Sequence, residues 1–151
     1  MQTIRCIVTC RRSVVRTGMA LIFNAFENME VVGREESDLL EEAFLLQPDL
    51  VMYGLCRVQE DDCQALEKLE DEYQALEKLK ELCRWTKVIV FSPDPLAGEE
   101  IAGLAGVSDG YIQVPLLPRL LHWAVELACS TGCFLYLGFI QSMKPGQEEM
   151  H

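Results

Sequence analysis

The chain has 151 residues, half of them hydrophobic, and its 24 acidic and 13 basic side chains give a formal net charge of −11. That size and composition fit one packed domain and exclude a disordered chain. The charge argues against a free-standing nucleic-acid binder, which needs Lys and Arg on phosphates, and against binding to an anionic membrane surface.

Strand-like and helix-like patterns alternate from the first residues. Residues 4–8 form a short apolar strand, and Ser13 is placed to cap a helix with Val14, Val15, Met19, Leu21, Ile22 and Phe26 on its apolar stripe. A second short strand over 29–33 ends at Gly33, and residues 38–46 read as a leucine-rich helix. Pro48 precedes a third strand, Leu50, Val51, Met52 and Tyr53, which breaks at Gly54. A long helix runs from about 62 to 83, a fourth strand over 87–91 ends at Ser92-Pro93, and a glycine-interrupted helix spans about 96–105. The fifth strand covers 110–114 and the last helix 117–129. Five βα units with short apolar strands predict a parallel sheet covered by helices on both faces. With right-handed crossovers this is an α/β three-layer sandwich, flavodoxin-like, (βα)5, with strand order 2-1-3-4-5.

The seven cysteines are odd in number and several lie inside apolar runs. With a first strand that begins almost at Met1 and no signal-peptide pattern, they predict free thiols in a cytoplasmic, reducing setting. There is no Cys-x-x-Cys, and His122 and His151 are far apart, so neither a zinc site nor a cofactor is expected. No apolar run approaches the ~20 residues of a membrane-spanning helix.

Two segments stand out. QALEKLEDEY over 64–73 is followed by QALEKLKELC over 74–83. A ten-residue step turns a helix face by about −80°, so Leu66-Leu69 and Leu76-Leu79 cannot share one stripe. The extra turns are a tolerated duplication with a soluble acidic face, or a contact surface. The other segment is the tail over 133–151, apolar through Phe134, Tyr136, Phe139 and Ile140, then polar. Its apolar part must pack on the domain, taken as 1–132, or on a second copy.

Four stretches, IRCIVTCRRSVVRTGM, NMEVVGREESDLLEEAFLLQPDLVMYGL, TKVIVFS and SDGYIQVP, carry a resemblance over residues 3–135. The chain resembles the receiver domains of two-component response regulators, above all those that precede a helix-turn-helix domain. Receivers of that family accept a phosphoryl group on an aspartate ending the third strand. Two acids after the first strand hold Mg²⁺, a Thr or Ser ends the fourth, and a Lys follows the fifth. On this alignment the metal-binding acids fall on Cys10 and Arg11, the acceptor on Gly54 and the lysine on Val114. Ser92 keeps the hydroxyl position and Tyr111 the aromatic that rotates on activation. Without carboxylates there is no nucleophile and no hard-oxygen ligand, so neither phosphotransfer nor Mg²⁺ is expected.

For the residues that remain, each site reading has a plainer counterpart. Arg11, Arg12 and Ser92 are donors for an anion, or Arg11 reaches to solvent; no glycine-rich phosphate loop follows the first strand. Cys10 and Cys56 are thiols at one strand edge, or small fillers of a vacated pocket. Val114-Pro115 is cis or trans. Leu117, Leu120, Leu121 and Trp123, with Phe134, Tyr136 and Phe139, are candidates for an interface.

The resemblance implies a degenerate receiver, not an enzyme, that acts by contact with a protein partner or with itself as a homodimer in bacterial signalling or transcriptional control. It implies no direct contact with nucleic acid or membrane. The alternative is a sensor of a small anion or metabolite in the vacated pocket. No helix-turn-helix follows, so the chain is read as a stand-alone module or a piece of a longer regulator.

Overall fold

The structure is a computed structural model that describes residues 3–33, 38–55 and 62–138, with side chains from residue 70 onward in the third helix. The elements in chain order are β1 (Ile4–Thr9), α1 (Ser13–Asn24), β2 (Met29–Val31), α2 (Leu39–Leu46), β3 (Leu50–Gly54) and α3 (Asp62–Leu82). They continue as β4 (Lys87–Ser92), α4 (Gly98–Ala105), β5 (Gly110–Gln113), α5 (Pro118–Ser130) and β6 (Leu135–Leu137). The strands form one sheet in the order β2-β1-β3-β4-β5-β6, and every pair is parallel. The flavodoxin-like α/β fold is therefore present, with one strand more than the five read from the sequence.

That strand comes from the apolar tail, which packs on its own domain, one of the two alternatives read from the sequence. Leu135, Tyr136 and Leu137 pair with Gly110, Tyr111 and Ile112, and the Leu135 amide donates to the Asp109 carbonyl at 3.1 Å. The segment is apolar throughout because both of its faces pack against the core, although it is an edge strand of the sheet. Leu135 and Leu137 pack with α1 and α5, whereas Phe134 and Tyr136 pack on the opposite side. Phe139 lies outside the described residues.

Pleat alternation divides the core in two. On one face Cys6, Val8, Met52, Ile89, Phe91 and Ile112 meet Met19 and Phe23 of α1 and Leu121, Ala124, Val125 and Ala128 of α5. On the other, Ile7, Val51, Val88, Val90 and Tyr111 meet Ala43 of α2, Leu76, Leu79 and Cys83 of α3, and Leu104 of α4. The second copy of the repeat thus supplies the sheet-facing leucines of α3. Leu66 and Leu69 of the first copy lie outside the described side chains.

Local chemistry accounts for both ends of α2. Asp38 caps α2, its Oδ1 accepting from the Leu40 amide at 2.9 Å, and Gln47 ends that helix in the left-handed region at φ 48° before Pro48. Ser13, expected as the cap of α1, is its first helical residue; Arg12 holds the cap position without a side-chain bond. One glycine of α4, Gly103, has a packing reason. The Tyr73 ring of α3 lies so close that a Cβ on Gly103 would sit 3.0 Å from its hydroxyl, which donates to the Glu100 carbonyl at 3.1 Å. At the amino-terminal ends of β4 and β5, Lys80 Nζ and the Val88 amide both donate to Asp109 Oδ2, at 2.9 and 2.8 Å, and tie α3 to these strands.

Candidate functional site

In a doubly wound sheet the chemistry sits beyond the carboxyl ends of the strands. Here β1 ends at Thr9 and Cys10, β3 at Gly54, β4 at Ser92 and β5 at Gln113 and Val114. Gly54 pairs in register with Phe91 of β4. A Cβ built on Gly54 would lie 2.7 Å from Phe91 Cζ and 2.9 Å from both Cβ and Sγ of Cys10. Real Cβ atoms do not come that close to carbon or sulfur. The space a side chain at this position would use is therefore filled by a phenylalanine ring and a thiol. Both belong to the buried cluster beneath α1 and α5. The glycine does more than omit a nucleophile: it lets two neighbours close over the strand end.

The other strand ends are also committed. The carbonyl of Cys10 accepts from Arg16 Nη1 at 3.0 Å, which fastens the turn into α1. Ser92 is fully buried and spends its hydroxyl on its own turn, donating to the Asp94 carbonyl and accepting from the Asp94 amide, both at 3.1 Å. Tyr111 is turned inward and fully buried; its hydroxyl donates to the Asp94 carbonyl at 2.9 Å. Its ring stacks on Tyr136 of β6 with centroids 5.8 Å apart. Val114 donates its amide to Ser92 at 3.0 Å and packs at the margin of the core, and the Val114-Pro115 bond is cis.

Arg11 is the exception. Its side chain is 66% exposed and reaches 3.5 Å from Glu72 of α3, which is only 14% exposed. Glu72 also accepts a hydrogen bond from the Tyr53 hydroxyl. These three side chains line a cleft of about 320 Å³ between the ends of β1 and β3, the start of α2 and the middle of α3. Burial raises the Glu72 carboxyl above its ordinary value of 4.5, and the Arg11 guanidinium offsets this only in part. Sequence reasoning missed Tyr53 and Glu72. Strand alternation was the available signal for Tyr53, since the residue before Gly54 must face the other side of the sheet. Nothing in the sequence could phase Glu72, which belongs to the repeat.

The thiols read as packing. Burial pushes Cys6 and Cys83 up, and burial with the nearby carboxylates of Asp49, Asp109 and Glu126 pushes Cys129 up to about 11 despite Lys87. They stay protonated at neutral pH and so are poor nucleophiles. Cys56 lies outside the described residues.

Of the residues read as an interface, Leu117, Leu120 and Trp123 form an exposed stripe at the start of α5, at 68, 43 and 53% exposure. Leu121 does not belong with them: it points into the core and is 1% exposed, because one step along a helix turns a side chain by about 100°. Phe134 and Tyr136 pack beside the α2–α4 side of the core.

No protein-family model matches the sequence, and no curated protein matches it either. Solved structures do. A LuxR-family two-component response regulator from Aurantimonas sp. SI85-9A1 is 18% identical with a TM-score of 0.64, covering 98% of this chain and 94% of that one. The response regulator domain of Thermotoga maritima CheB is 20% identical at 0.63, covering 86 and 98%. A CheY-like receiver domain protein from Methanospirillum hungatei JF-1 is 18% identical at 0.61, covering 87 and 97%. At these identities the likeness establishes a shared fold, that of response-regulator receivers, along nearly the whole chain.

Proposed function

We propose that this chain is a receiver-fold signalling module that works without phosphoryl transfer, through contact with a protein partner, and that the partner is a second copy of the chain. One observation carries the first half of the reading. The strand end where a receiver would hold its acceptor is packed shut by Phe91 and Cys10 over Gly54. No carboxylate stands at Cys10 or Arg11 to hold Mg²⁺, and no lysine stands at Val114 to offset a phosphoryl charge. What the scaffold still presents is a surface. The stripe of Leu117, Leu120 and Trp123 puts two leucines and a tryptophan in water on one helix, and tryptophan is the side chain most enriched at binding hot spots. The inward, hydrogen-bonded Tyr111 leaves the neighbouring face in one state, which suits a module that is always competent to bind.

The anion-sensor reading is not favoured. The vacated space is occupied, Ser92 is consumed by its own turn, and Arg11 faces Glu72.

Two measurements test the proposal. Incubation with a small phosphodonor and Mg²⁺, followed by intact mass, is expected to leave the mass unchanged; an adduct of one phosphoryl group would overturn the first half. Light scattering across protein concentrations is expected to show a dimer that Leu120→Glu dissociates. A concentration-independent monomer would overturn the choice of a second copy as partner.

A further inference from the structure

The cleft beside Arg11 has no part in the interaction reading, and its chemistry points elsewhere. It lies at the topological switch point between β1 and β3, where the strand order reverses, the position at which open α/β sheets take ligands. Its volume of about 320 Å³ is at the lower end of the small-molecule range. Leu39 and Ala75 supply an apolar wall and Tyr53 an aromatic one. Among the described residues, the charged side chains on its lining are Arg11, Asp38 and Glu72, one cation against two carboxylates.

These groups are not equivalent. Glu72 is 14% exposed and held in place by the Tyr53 hydroxyl, while its one ion-pair partner among the described residues is a largely exposed guanidinium at 3.5 Å. A pair of that kind, with one partner in water, contributes little. A desolvated carboxylate so weakly compensated favours a cation that can approach from the cleft. The start of α2 would favour an anion, but its cap is closed: Asp38 accepts from the Leu40 amide there at 2.9 Å and adds its own negative charge. A metal ion fits less well, since among the described residues no three His, Cys, Asp or Glu gather to ligate one. The apolar wall and the tyrosine suit an organic stem and a cation beside an aromatic ring.

We propose that this cleft binds a small organic cation, an ammonium or guanidinium on a short apolar stem, with Glu72 as its counter-charge, Tyr53 and Ala75 against the stem, and Arg11 as the competitor it displaces.

The test is an amide-resolved NMR titration of the whole chain with n-butylammonium, and with butyrate and 1-butanol as the anionic and neutral analogues. Saturable shifts are expected at Gly54 and Ala75 with the ammonium, and binding weaker by about tenfold or more with the other two. Glu72→Gln is expected to lower affinity for the ammonium by a similar factor, its fold checked by the spectrum itself. Arg11→Ala is expected to raise it, by about two- to fivefold, because it removes the competing cation. An anion site predicts the opposite on both counts. Tighter binding of butyrate, an unchanged affinity in Glu72→Gln, a loss in Arg11→Ala, or no saturation with the ammonium at tens of millimolar would each overturn the proposal. None of these outcomes bears on whether the chain self-associates.

Discussion

Adding one methyl group at Gly54 asks whether the strand end is open or filled. In a strand interior, glycine to alanine ordinarily stabilises by about 0.5–1 kcal/mol, because alanine has less backbone freedom to lose. At Gly54 the new Cβ would stand 2.7 Å from Phe91 Cζ and 2.9 Å from Cys10 Cβ and Sγ, in a fully packed cluster. Overpacking of that kind costs about 1–3 kcal/mol. The two effects oppose, and at mid-range the clash wins by about 1 kcal/mol. Urea unfolding at constant m-value reads the difference. Gly18 in the middle of α1 is the control, since nothing lies within 4 Å of its would-be Cβ. Gly18→Ala should stabilise by up to about 1 kcal/mol. Phe91→Leu withdraws the ring tip, so in the double variant the cost of Gly54→Ala should fall by at least about 0.5 kcal/mol. A Gly54→Ala chain as stable as the parent, or stabilised like Gly18→Ala, would show that the strand end has room. The argument that the acceptor position is closed would then fail.

Three further outcomes are expected. Trp123→Glu should leave unfolding stability within about 0.5 kcal/mol, since the ring is half in water, while lowering the mass seen by light scattering; a change in stability alone would mean the stripe is structural. Tyr111→Phe removes the bond to the Asp94 carbonyl and leaves the ring in place, so a loss of about 1 kcal/mol is expected by urea unfolding. No loss would mean that the tyrosine is held by its packing on Tyr136 alone. Glu72→Gln tests the buried carboxylate by pH. The folded carboxyl is raised above its ordinary 4.5, so the native state binds that proton more tightly than the unfolded chain. The parent therefore gains stability as pH falls through the folded value toward 4.5 and loses it as pH rises. The variant should be more stable than the parent at pH 7, and the gap should close on acidification. A gap that persists below pH 4 would place its origin outside this carboxyl.

Much of the scaffold is written in local pattern. The buried strands announce themselves as short apolar runs such as Leu50 to Tyr53, and the helix between Asp38 and Gln47 carries its own cap and stop. These features depend on burial period and on groups within a few residues of each other, so a single pass along the chain finds them. The losses at Cys10, Arg11, Gly54 and Val114 are equally legible, because they are matters of residue type. The sixth strand was not. Its apolar run could equally have packed on a second copy, and its partner is the edge of β5, which exists only once the sheet has formed.

Sequence alone determined which side chains the strand ends carry. What now occupies them was decided by tertiary structure. Phe91 meets Gly54 only because β4 lies beside β3 in one register, and Cys10 meets them both only because β1 lies on the other side. The same holds for Arg11 and Glu72, 61 residues apart, whose contact requires α3 to turn one face of a repeated segment toward the cleft. Residue identity sets what a side chain can do. Register and helix phase, which are properties of the packed whole, set what it can reach.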